Sequence, residues 1–158
     1  MRRRGLTTLV GLQEDILHNR TAFGAILRKE RSARVLFEDA SYLAFRNIKP
    51  YAPLAALVIP KRHLSQDPDG LDAHHLNMVC RMKAIGEDIV RSEHPEALSS
   101  RDFWLKFHRK PYISVDHLHL HVVAPFSRIS RWDTIARFCD PERACDVEEV
   151  IGRLRTDR

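Results

Sequence analysis

His117, His119 and His121 are interleaved with Leu118, Leu120 and Val122, and this period of two constrains the chain more than any other feature in it. Successive side chains of a strand point to opposite faces, so the three imidazoles share one face while the aliphatic residues enter a core on the other. The segment therefore reads as a buried strand, about Val115 to Ala124, carrying a polar stripe.

The rest of the chain supplies a frame for that strand. Leu9, Leu12, Ile16 and Leu17 share a helical face ahead of Asn19, which predicts a short amphipathic helix. Val35–Phe37 and Tyr42–Phe45 stand at hairpin distance, and Leu54–Ile59 is a continuous apolar run of the kind a central strand shows. Pro50 and Pro53 forbid helix between them. From Leu71 to Arg91 the period lengthens to that of a helix, with Asp72 placed to cap it. Phe103–Phe107 reads as a fourth strand, and Trp132–Phe138 and Val147–Leu154 as helices. Trp132 can close over the base or leaving group, but packing on its own sheet is the expected role. The expected architecture is α+β, a five-stranded antiparallel meander with one main helix and short helices at both ends. Residues 1–20 form an extension, 21–126 the domain and 127–158 a partly helical tail.

A chain of 158 residues fits one domain with a sizeable core. The formal net charge of +5 suits a phosphate-bearing ligand, although solvated surfaces are often as basic. Cys80, Cys139 and Cys145 are odd in number and make no Cys-x-x-Cys, which argues against a disulfide framework and a four-cysteine zinc site. A reducing compartment is expected, the cytoplasm first with the nucleus open. Arg2, Arg3 and Arg4 suggest a presequence, but Glu14 and Asp15 follow too soon. No apolar run is long enough to span a membrane.

Three imidazoles on one strand face can do one of three things. They can hold a metal, but His117 and His121 lie ~13 Å apart on an ideal strand, too far for bonds of ~2 Å to one ion. A two-histidine site completed by His63 or His108 stays open. They can be core histidines with satisfied nitrogens, although three on one face are hard to satisfy. Or they can act on phosphorus: neighbouring imidazoles disfavour charge on one another, which keeps a nucleophile neutral near pH 7. His119 would then attack, His121 would donate to a phosphoryl oxygen, and Ser114 would serve the leaving group.

The run His117-Leu118-His119-Leu120-His121-Val122-Val123 resembles the signature of the histidine triad superfamily of nucleotide hydrolases and transferases. Phe23–Glu30, Phe37-Glu38-Asp39, Ala44–Pro50, Leu57–His63 and Phe107–Pro111 resemble its Hint branch. This resemblance implies a purine nucleoside phosphoramidase in which His119 is nucleotidylated on the α-phosphate and water releases the monophosphate. His117 would orient His119 through its backbone carbonyl. Phe23, Ile26, Phe45, Ile48 and Leu57 match an apolar slot for the base, and Asn47 the ribose position, usually acidic. Lys106 and His108 are candidate phosphate contacts. No cofactor or metal is implied, because Thr21 and Gly24 stand where some relatives place Cys-x-x-Cys. Ala55 replaces a frequent fourth histidine. A two-fold homodimer through the main helix and an edge strand is implied as well. Two other functions stand beside this one: aprataxin-like removal of adenylate from nucleic-acid ends, disfavoured by the lack of a zinc-finger set of Cys and His, and a nucleotide sensor with negligible turnover.

Overall fold

The computed structural model describes residues 3–65 and 67–157, with side chains from Val10 onward. Helix α1 (Arg3–His18) leads into a short helix α2 (Ala22–Leu27), which Thr21 caps by accepting a hydrogen bond from the Gly24 N–H. Strands β1 (Val35–Glu38), β2 (Tyr42–Arg46) and β3 (Leu54–Pro60) follow as a true meander. Next come the main helix α3 (Leu76–Glu93), a short α4 (Pro95–Ser100), strand β4 (Trp104–His108) and strand β5 (Leu120–Ala124). The chain ends in α5 (Trp132–Cys139), β6 (Ala144–Asp146) and α6 (Val147–Thr156). No helix among the described residues is long and apolar enough to cross a membrane.

The α+β class is as the sequence predicts, but the sheet differs from expectation in two ways. It has six strands rather than five, in the order β1-β2-β3-β5-β4-β6, and every recorded pairing is antiparallel. The meander therefore stops at β3: β5 inserts between β3 and β4, and α3 makes the crossing. The sixth strand escapes a pattern search because it has three residues, Ala144, Cys145 and Asp146, and exists through its pairing with Phe107 and His108. The histidine strand is also shorter than expected. Its ladder begins at Leu120, while Leu118 donates its N–H to the Leu64 carbonyl at 2.8 Å, bonding to a loop in place of a neighbouring strand.

Alternation sorts the two faces. Leu54, Ala56 and Val58 of β3 and Leu120, Val122 and Ala124 of β5 face α3, which answers with Leu76, Val79, Met82, Ile85 and Ile89. Each of the Leu, Ile, Val and Met side chains among them contributes roughly 1.5–3 kcal/mol on leaving water. Gly86 lets the helix approach closely: a Cβ there would stand 2.9 Å from Leu105 Cδ2. Cys145, Val147, Val150, Ile151 and Leu154 join the same core, so β6 and α6 are integral to the packing. The other face carries two smaller apolar clusters, Phe23, Leu43, Phe45, Leu57 and Ile59 at one end and Ala52, Val123, Ile129 and Phe138 at the other. The histidines lie between them.

Candidate active site

His117, His119 and His121 are 1%, 7% and 8% exposed, and their nitrogens are treated very differently. His117 is saturated. Its Nε2–H donates to the Pro60 carbonyl at 2.7 Å, and its Nδ1 accepts from the Asn19 amide at 3.0 Å. The amide orientation is fixed independently, since Asn19 Oδ1 accepts from both the N–H and the hydroxyl of Thr21. His117 is thereby held neutral in one tautomer, and its carbonyl accepts the Nδ1–H of His119 at 2.7 Å. That bond leaves the lone pair of His119 on Nε2. His121 presents the opposite case: both of its ring nitrogens are buried and neither has a partner.

Protonation is suppressed along the row. Burial, opposed by the bond to Pro60 and reinforced by His63 and His119, pushes His117 down to about 4. Burial, aided by His119 and Arg137, brings His108 to about 4 as well. Burial also lowers His119, and it lowers His121 far below the ordinary histidine range with help from His119 and His108. Near pH 7 the row is a set of neutral imidazoles, in which the bond to the His117 carbonyl fixes the lone pair of His119 on Nε2.

Asn19 was not singled out in the sequence, although it is 1% exposed. It reaches the site because the turn between α1 and α2 is drawn tight. Arg28 donates to the carbonyls of Ile16 and Asn19, at 2.9 and 2.5 Å. A Cβ on Gly24 would stand 2.0 Å from the Asn19 carbonyl oxygen, so only glycine fits there. Gly24 and the capping Thr21 are the signals the sequence holds for this turn, and the resemblance marks the same two positions for a missing zinc ligand instead. Among the described residues no group of three or more His, Cys, Asp or Glu side chains could hold a metal. His117 has no lone pair to offer one, and its ring lies 5.3 Å from that of His63.

The remaining expected residues divide into two walls. Phe23, Phe45 and Leu57 are buried together, with Ile26 packed against them, and the Phe23 ring stands edge-on to His119 with centroids 5.3 Å apart. Ile48 is 67% exposed and stands outside that cluster. On the other side a cavity of about 770 Å³ is lined by Asn47, Ser114, His108 and His121. The His108 ring lies tilted against that of His121, with centroids 4.3 Å apart, and has a buried, unpartnered Nε2. The structure thus supplies a fourth imidazole from β4, while Ala55 of β3 lies opposite Val123. Lys106 is placed otherwise: its ammonium donates to the Phe138 carbonyl at 3.0 Å, tying the end of α5 to the sheet, and it is not among the residues lining the cavity. Trp132, expected to pack, is 80% exposed; Trp104 takes that role, stacked on Phe126 at 4.6 Å.

Comparison with known proteins agrees with this geometry. Residues 20–133 match the family model described as scavenger mRNA decapping enzyme C-term binding. Adenosine 5'-monophosphoramidase HINT3 of Danio rerio is 39% identical over 103 residues, which are 65% of this chain and 62% of that protein, so the match spans less than two thirds of the relative's length. The bifunctional adenosine 5'-phosphosulfate phosphorylase/adenylylsulfatase HINT4 of Arabidopsis thaliana is 34% identical over 72% of this chain and 75% of its own. The crystal structure of a HIT family hydrolase from Legionella pneumophila superposes with a TM-score of 0.59 at 29% identity, covering 70% of this chain and 96% of that one. The saturated first histidine, the free second one and the extent of these matches lead to one conclusion: the chain belongs to the histidine triad superfamily, in its Hint-like part.

Proposed function

We propose that the protein is a hydrolase that releases AMP from adenosine 5'-phosphoramidates through a nucleotidyl-histidine intermediate on His119. The observation that carries this reading is the bond from His119 Nδ1–H to the His117 carbonyl, which fixes the lone pair on Nε2 beside the unpartnered nitrogens of His121. Attack by Nε2 forms an N–P bond at the α-phosphorus and breaks the bond to the amine, whose nitrogen takes a proton from solvent as it leaves. Water then attacks the same phosphorus and gives up a proton to solvent, the P–Nε2 bond breaks with its electron pair returning to Nε2, and AMP departs with His119 neutral again. His121, in its neutral form, has one N–H with which to bond the phosphoryl oxygens as charge shifts onto them. Ser114 lines the same cavity and is assigned to the leaving group.

The base is assigned to the wall of Phe23, Ile26, Phe45 and Leu57, with Ile48 at its exposed margin, and the ribose to Asn47. Relatives named as adenosine 5'-monophosphoramidases support the substrate class. The three free cysteines support a reducing compartment, the cytoplasm. The test is His119→Ala with an AMP-amine substrate. Loss of the nucleophile should lower kcat/KM by about 10⁴ or more; unchanged turnover would remove the proposal.

For assembly, the expected pairing through the main helix and an edge strand meets a chain whose own tail lies on α3 and on β4. The outer edge of β4 is bonded to β6, and α6 packs on α3. The edges that remain are β1, with four residues and a register break between Val35 and Phe37, and β6, with three residues, both poor templates for strand addition. We infer that a homodimer of the expected kind forms only if β6 and α6 are displaced. Sedimentation of the intact chain should give the 18.3 kDa monomer; a dimer with the tail still protected from proteolysis would refute this.

A further inference from the structure

The cavity beside His121 has a second wall, to which Arg137, Phe138 and Arg143 contribute from beyond the residues that the family model matches. Ring centroids run in a row, Phe23 to His119 at 5.3 Å, His119 to His121 at 5.0 Å, His121 to His108 at 4.3 Å and His108 to Phe138 at 4.6 Å. The apolar wall closes the Phe23 end of that row. The opposite end runs into α5, where Arg131, Arg137 and Arg143 line the cavity with Lys49. Against four cations the lining has one acid, Asp133, and Arg131 engages both of its oxygens, at 3.1 and 3.0 Å. Arg143 is held by Asp140 at 3.0 Å and lies over the Tyr112 ring at 4.9 Å. Among the described residues Lys49 and Arg137 have no ion-pair partner.

Uncompensated cations in a concave wall raise the local concentration of anions and hold them when a donor is in reach. An α-phosphoryl oxygen accounts for the one N–H that neutral His121 carries on its buried, unpartnered ring. It does not account for charge at the α5 end, past His108. With the base at the Phe23 end, that position belongs to whatever leaves the phosphorus.

We propose that α5 forms a leaving-group subsite for a second anionic group, carboxylate or phosphate, with Arg137 as its main determinant and Lys49 in support. This rests on the assignment of His119 as the nucleophile. The preferred substrates are adenylates whose departing group carries its own negative charge, and neutral amines are the poorer class. Arg137 acts on specificity, and the bond changes at phosphorus stay as described.

Two measurements test the subsite, one of which needs no turnover. Take the ratio of kcat/KM for AMP linked to the amino group of aspartate over AMP linked to a neutral alkylamine. A charge-assisted contact predicts a wild-type ratio of about tenfold or more, collapsing toward unity in Arg137→Ala and partly restored in Arg137→Lys. Arg155→Ala, an exposed change on α6 that removes the same charge, should leave the ratio intact. Separately, titrate ADP and AMP: the β-phosphate of ADP stands where the leaving group would, so wild type should bind ADP several-fold tighter, with the gain lost in Arg137→Ala and weakened by salt. A wild-type preference that is absent, or that Arg137→Ala leaves unchanged, overturns the subsite. If neither adenylate is turned over by wild type, the phosphoramidase reading fails instead, and the ADP-to-AMP ratio still decides the subsite.

Discussion

The two outer histidines of the triad, four residues apart, live in opposite conditions. Every hydrogen-bonding atom of the His117 ring is used, by Asn19 on one side and Pro60 on the other. His121 is comparably buried and uses none. A buried nitrogen without a partner costs about 1–3 kcal/mol, and a fold keeps such a cost where something else will supply the bond. The difference separates roles: the saturated ring is a fixed post that aims its neighbour through a carbonyl, and the unsaturated ring is kept for a ligand. His119, between them, shares both conditions, with one nitrogen bonded and one free.

The comparison can be broken in order of expected effect. Next to the loss predicted for His119→Ala, His121→Gln should cost about 10²-fold in kcat, the range seen when one transition-state donor is removed. Its Tm should be little changed, because no native bond is broken. A large drop in Tm with a small drop in kcat would show that His121 is structural after all. Asn19→Ala should do the reverse: about tenfold in kcat, as the His117 tautomer is no longer enforced, together with about 1–3 kcal/mol of stability from the orphaned Nδ1. Gly24→Ala should mimic the stability part by pushing the Asn19 carbonyl away.

The smallest effect is the dependence on pH. His117 and His108 titrate at about 4 in the folded protein against about 6.5 in the unfolded chain. Between those values the unfolded state binds more protons, so stability is complete above about pH 6.5 and falls progressively as the pH drops toward 4. A Tm that is flat from pH 7 to 4.5 would show these rings are not desolvated as described. Activity should also persist below the ordinary histidine range, because His119 itself is shifted down.

What was legible in the sequence follows from how far each interaction reaches along the chain. Leu120, Val122 and the histidine alternation, the apolar run of β3 and the helical period of α3 are local patterns with local causes, and they predicted a core that the structure contains. Asn19 was not legible because its partner His117 is 98 residues away and because the turn that holds it has no period. β6 was invisible for the same reason, being three residues that become a strand only against Phe107 and His108. Lys106 shows the converse error. Its place beside the site was legible, but the acceptor that claims it, the carbonyl of Phe138, belongs to a segment whose docking only tertiary packing decides.

The central claim, a neutral His119 attacking phosphorus through Nε2, is tested most directly by acid-free rapid quench of the enzyme with an AMP-amine substrate, followed by mapping of the labelled peptide. The account predicts an adenylyl group on His119, formed no more slowly than AMP is released and absent in His119→Ala. AMP release at the full rate with no labelled histidine at any time point would contradict it.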